Sequence, residues 1–170
     1  KVEFEAIGRP SLLKIKGTGE GAVADLKIDA GKLNGDIKFN MSTLVTGIEL
    51  RDKHMKEKYL QTTEYPQATL IFKDFLLPSV WSAKSPRLVN SSFKATLKLH
   101  GIEKELTGNF TIENEKFQSS AKFDVKLSDF KIEIPNYLGV KVADVVNVTV
   151  SFNQMTVAEE VAAPAKPAKK

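Results

Sequence analysis

The sequence predicts an all-β domain, an antiparallel β-barrel of about eight strands with a short helix at one end. Three observations predict it. Apolar and polar residues alternate with period two along most of the chain, the mark of strands with one buried face. The runs are separated by short turn signals at Gly17 to Gly21, Ala30-Gly31, His100-Gly101 and Glu113 to Glu115. Such spacings suit hairpins, because parallel strands need a crossover of a dozen or more residues. One segment alone, Thr46 to Leu60, drops the alternation for a helical pattern. Closing the sheet into a barrel removes the long edges that an open sheet would expose; a two-sheet sandwich is the competing architecture.

Val2, Phe4 and Ala6 open the alternation. Shorter strands follow at Leu12 to Lys16 and Val23 to Asp29. Leu33, Gly35, Ile37, Phe39 and Met41 then fall on one side, with Asn34, Asp36, Lys38 and Asn40 on the other. In the helical segment, Thr46 and Glu49 have the spacing of a capping box, and Val45 and Leu50 that of a hydrophobic staple. Leu50, His54 and Glu57 lie along one side of this helix, Arg51, Met55 and Tyr59 along the next. Pro66 ends it before Tyr65. A short strand is expected at Ala68 to Phe72, then a loop from Pro78 to Arg87 that holds the only Trp. Ala95, Leu97 and Leu99 resume the alternation. Leu106, Gly108, Phe110 and Ile112 continue it, then Phe117 to Leu127, then Val146, Val148, Val150 and Phe152. The barrel domain spans 1–157; residues 158–170, rich in Ala, Pro and Lys, read as a disordered tail.

Composition excludes several functions. The chain has 170 residues, enough for one domain with a substantial core. Its 25 Lys and Arg nearly balance 21 Asp and Glu, which gives little support for nucleic-acid binding. Without Cys there is no disulfide, thiol catalysis or zinc–thiolate site. No apolar run reaches the ~18 residues of a membrane-spanning helix. The chain starts at Lys1 without a signal-peptide pattern, and the reading is an exported protein whose leader has been removed.

Catalytic and metal motifs are missing. The only His residues, His54 and His100, lie in different elements, and no HxxxH, HExxH or EF-hand spacing occurs. There is no GxSxG elbow, and Asp52 and His54 do not share a helix face. No catalytic residue, metal ligand or required cofactor is therefore assigned. For Arg51 and Asp52, the favoured reading is structural: polar ties that hold the helix to strand ends, of the kind an Arg–carboxylate pair makes bidentately. The other reading places Arg51, His54 and Tyr59 at a polar mouth that meets a ligand's head group. His100, beside Gly101, reads as a turn residue. The inward face mixes large residues with Gly35, Ala95, Gly108, Ser119 and Ala121, which either leave space or are matched by Phe residues opposite.

The run Thr46-Gly-Ile-Glu-Leu-Arg-Asp-Lys-His-Met, with Tyr59-Leu60, Tyr65-Pro66 and Phe72, resembles the YceI family. So do Leu97 to Leu106 and the stretch from Ser128-Asp-Phe130 to Val150. The resemblance covers about Val2 to Val157. It implies a lipocalin-like barrel, export to the bacterial periplasm, and a non-catalytic protein that carries or sequesters an amphiphilic lipid. The bound molecule it implies is an isoprenoid quinone or a polyprenyl lipid. By inward parity, the tunnel is assigned to Ile37, Phe39, Leu97, Leu99, Phe110, Phe123, Val125, Val148 and Val150; simple core packing is the competing reading for each. Expected partners are the lipid itself and, transiently, a membrane, with the protein a monomer or homodimer and no nucleic acid bound. Many family members carry Arg two residues before the Asp-Phe pair and Gly just after it, where this chain has Leu127 and Lys131. That departure puts the identity of the head group in doubt. Two further readings stay open: a filled barrel that works through its surface, and, with least support, a hydrolase using the Asp52–His54 region.

Overall fold

The computed structural model describes residues 1–9, 13–78, 88–113, 118–137 and 139–153. The strands are β1 (Val2–Arg9), β2 (Leu13–Gly19), β3 (Val23–Asp29), β4 (Lys32–Asn40), β5 (Gln67–Leu76), β6 (Leu88–Leu99), β7 (Ile102–Glu113), β8 (Gln118–Lys126), β9 (Asn136–Tyr137) and β10 (Val140–Phe152). They form one curled sheet in the order β2-β1-β10-β8-β7-β6-β5-β4-β3, with β9 beside β10 and every ladder antiparallel. The predicted tail, the Pro78–Arg87 loop beyond Pro78 and the turn after Glu113 lie outside the described residues.

The two-residue turns behave as their sequences dictate. Ala30 and Gly31 have φ of 47° and 76°, and His100 and Gly101 have 51° and 73°. Positive φ at both positions gives the turn whose twist matches a β-hairpin. Two of the glycines from Gly17 to Gly21 do otherwise, while Gly21 (φ 82°) lies in the turn itself. Gly17 and Gly19 lie within β2, and a Cβ at Gly17 would run into the Phe4 ring. These glycines provide close approach, and the turn begins only after them.

The sheet closes differently from a simple barrel. Among the described residues no ladder joins β2 to β3. Instead, Thr18 and Val45 exchange two backbone hydrogen bonds, each 2.8 Å. The free edge of β2 therefore meets the segment that follows β4, and β3 stays outside the closure as an edge strand.

Helix α1 spans Glu49–His54 and runs into a single π-helical turn, Met55–Tyr59. Its N-cap is Ile48, which makes no side-chain cap, so the predicted capping box does not form. Thr46 is drawn away by Asp52, which accepts hydrogen bonds from the Thr46 N–H at 2.7 Å and from the Thr46 hydroxyl. The staple is absent too: Val45 is held by Thr18, and both Val45 and Leu50 are exposed.

Candidate functional site

The alternation in the strands becomes two layers inside the sheet. Ile37, Leu70 and Leu97 stand side by side across β4, β5 and β6. Ala6, Val146 and Val125 do the same across β1, β10 and β8, as do Phe4, Val148 and Phe123. These rows wall a cavity of about 470 Å³, whose lining is apolar apart from Thr46, Arg51, His54, Tyr59 and Thr69. The volume falls within the usual range of small-ligand sites.

At the other end the interior is filled. Five phenylalanines form a continuous stack: Phe110 to Phe75 at 5.9 Å between ring centres, Phe75 to Phe72 at 6.3 Å, Phe72 to Phe93 at 5.5 Å and Phe93 to Phe123 at 6.3 Å. The edge-on arrangement of Phe75 on Phe110 and of Phe93 on Phe123 is the favoured one for aromatic pairs. Gly108 makes the stack possible, since a Cβ there would collide with the Phe93 ring. Small inward residues thus do not all signal empty space; at Gly108 the space belongs to Phe93.

This division sorts the predicted tunnel. Ile37, Phe39, Leu97, Leu99, Phe123, Val125, Val148 and Val150 line the cavity. Phe110 does not: it is spent in the aromatic plug against Phe75. Its inward parity is as expected, but parity says nothing of position along the barrel axis. Phe123 belongs to both regions and forms the cavity floor. The cavity also takes in residues that the tunnel assignment passed over, among them Phe4, Ile15, Leu44, Leu70, Val142 and Val146. Phe4 and Val146 share the alternation that identified the others, and that signal was sufficient to find them.

The mouth is built by α1 and the segment before it. Ile48 and Leu50 line the cavity yet are 52% and 51% exposed, so its apolar surface continues out to solvent. Arg51, His54 and Tyr59 all reach the lining, as the polar-mouth reading expects. Arg51 is tied down: its Nε donates to the Thr46 hydroxyl at 2.7 Å and its Nη2 to the Thr46 carbonyl at 2.9 Å. Thr46 thus stands between Arg51 and Asp52, which grip it from either side in place of the direct Arg–carboxylate pair that the sequence suggested. The Lys58 ammonium sits 5.1 Å from the Tyr59 ring centre.

His100 is a turn residue that also anchors the helix region. Its ring contacts the Phe130 carbonyl at 3.1 Å, Gln61 Oε1 at 2.9 Å and the Tyr65 ring at 4.2 Å. Phe130 belongs to a 3-10 turn, Leu127–Phe130, that sends Leu127 into the cavity lining and buries both side chains. Asp144 fixes this turn by accepting from the Ser128 hydroxyl at 2.6 Å and the Ser128 N–H at 2.8 Å. Those two donors hold the Asp144 carboxyl below its ordinary range. Lys131 ends the turn in the left-handed conformation, φ 54°, a backbone state that favours Gly. Among the described residues no cluster of three or more His, Asp or Glu gathers to hold a metal.

Known structures share this architecture. The Burkholderia cenocepacia BcnA structure superposes with a TM-score of 0.68 at 16% identity, covering 88% of this chain and 94% of that one. A polyisoprenoid-binding domain from Saccharophagus degradans, implicated in plant cell wall breakdown, gives 0.67 at 15% identity, with coverage of 88% and 90%. The Campylobacter jejuni YCEI protein gives 0.58 at 18% identity, with coverage of 84% and 86%. At these identities the likeness is one of fold. No curated protein gives a significant match. The model of the YceI-like domain family matches residues 2–154, nearly the whole chain, and the protein belongs to that family.

Proposed function

We propose that this protein binds a long-chain isoprenoid, or a lipid of similar amphiphilic form, in the cavity beneath α1 and carries or sequesters it without chemical change. One observation carries the reading: a cavity walled by carbon and floored by Phe123, with nearly all its polar groups gathered on and beside α1. An apolar chain gains roughly 0.8 kcal/mol per buried methylene-sized group, before the costs of association. It needs no directional partners along its length, which matches a wall of Val, Leu, Ile and Phe. The head group, a quinone or a polyprenyl alcohol or phosphate, would lie at the mouth near Arg51, His54 and Tyr59. Leu127 stands where many relatives carry Arg, so this part of the lining offers no cation. Family membership and the polyisoprenoid-binding relative support the same class of ligand. Export to the periplasm and brief contact with a membrane during loading belong to this proposal.

Native mass spectrometry of protein purified gently from cells tests it. The expected result is an added mass in the range of an isoprenoid lipid, reduced by Val148→Trp, which fills the cavity. A folded protein that stays empty, and takes up no polyprenol or isoprenoid quinone offered from detergent, would overturn the proposal.

A further inference from the structure

Strand β3 is exposed at all seven positions from Val23 to Asp29. It pairs with β4 on one side, and the closure through Thr18 and Val45 leaves its other side without a strand among the described residues. The two-residue turn makes Asp29 and Lys32 a hydrogen-bonded pair, and the pairing then alternates along the hairpin. Asp25 and Lys27 therefore spend their backbone groups on β4. Ala24, Leu26 and Ile28 direct theirs outward. An unprotected edge of this kind is a template for another strand. Leu26 and Ile28 are also 37% and 43% exposed, so apolar side chains accompany the free edge.

We propose that β3 pairs with β3 of a second copy of this chain, antiparallel about a two-fold axis through Leu26. The order of charges on the strand favours this partner. The register sets Leu26 against the partner's Leu26, Ala24 against the partner's Ile28, and Asp25 against the partner's Lys27. The outward groups at Ala24, Leu26 and Ile28 then exchange hydrogen bonds across the axis. A register that keeps this backbone match but moves the axis to Asp25 opposes the two Asp25 carboxylates. Moving it to Lys27 opposes the two ammonium groups. Like charges directly opposed are unfavourable. The register centred on Leu26 sets opposite charges face to face and keeps all of β3 from Val23 to Asp29 paired. Centring on Ile28 also opposes unlike charges, Lys27 against Asp29, but leaves only Lys27 to Asp29 paired.

A second observation points the same way. Within the chain, Asp25 stands directly opposite Asp36 on β4, an unfavourable pair of like charges. Among the described residues neither Asp25 nor Lys27 makes an ion pair. The partner's Lys27 would come beside Asp25 and offset that repulsion. The interface is isologous, so the contact is made twice.

Sedimentation of the full chain over a range of concentrations tests the proposal. The wild type should form dimers, Lys27→Asp should abolish them, and Asp25→Lys with Lys27→Asp should restore them, since the swap exchanges the charges but keeps them opposed. These positions are exposed, and circular dichroism should show each variant folded. As the chain has no Cys, Leu26→Cys should give a disulfide-linked dimer; paired Cα atoms about 5.5 Å apart permit that bond. A chain that stays monomeric at the highest concentrations would refute the proposal. So would a dimer indifferent to Lys27→Asp, a swap that does not restore association, or a cross-link through Lys14→Cys on the β2 edge in place of Leu26→Cys.

Discussion

Replacing Val148 by Trp separates the hollow half of the barrel from the filled half. Val148 stands between Phe4 and Phe123 on the cavity wall, so an indole there extends over the floor into space that a lipid tail would occupy. It displaces about one isoprene unit, some five carbons, worth about 4 kcal/mol by transfer of methylene-sized groups. Part of that gain is already offset by ordering of the tail, which leaves about 2–3 kcal/mol. Affinity should therefore fall roughly 30- to 150-fold. Equilibrium titration with a long-chain isoprenoid quinone measures it. The matched control is Phe110→Leu, which trims the aromatic stack but lies outside the lining of this cavity. It should lower stability by about 1–2 kcal/mol in urea unfolding and leave the dissociation constant unchanged. A folded Val148→Trp protein that binds with wild-type affinity refutes the reasoning. An equal loss of affinity in Phe110→Leu does so as well, because the plug would then be part of the site.

Lys131→Gly should raise stability by about 0.5–1 kcal/mol, since it removes a side chain from a left-handed position at only the entropic cost of glycine; thermal unfolding measures it. Thr46→Val should cost about 1–2 kcal/mol, because the Arg51 Nε loses its acceptor and Asp52 a donor, although both Thr46 backbone contacts survive. Gly108→Val should cost about 3 kcal/mol or more, because its Cβ would meet the Lys122 carbonyl oxygen on β8 as well as the Phe93 ring, with quinone affinity changed much less than stability. Asp144→Asn tests a pH effect. A carboxyl held below its ordinary range adds stability that is present above the unfolded-state value and lost as pH falls through the folded-state value. The variant should be less stable than wild type at neutral pH, by under about 1 kcal/mol for so exposed a group. Unfolding curves taken stepwise from pH 7 to 2 should show that gap closing on acidification.

The strands, their inward faces and the two tight turns were legible in the sequence. The Val23 to Asp29 strand matches β3 at both ends, and eight of the nine residues chosen by parity line one cavity. Period two is a property of a single extended backbone, so a local reading finds it. The helix cap was misread because Thr46 and Glu49 have the right spacing for a capping box, whereas Asp52 competes for the same Thr hydroxyl in the folded chain. Spacing lists candidate partners for a hydrogen bond, but geometry chooses among them.

What the sequence by itself determined is the class of fold, the family, and which side of the longer strands faces inward. Only the tertiary structure decided where the interior is empty, that Phe110 belongs to a plug, and that β3 remains outside the closure. The reason is physical. Inwardness is set residue by residue along one strand. Empty volume is what remains after side chains from strands far apart in sequence, such as Phe93 on β6 and Gly108 on β7, have filled one another's space.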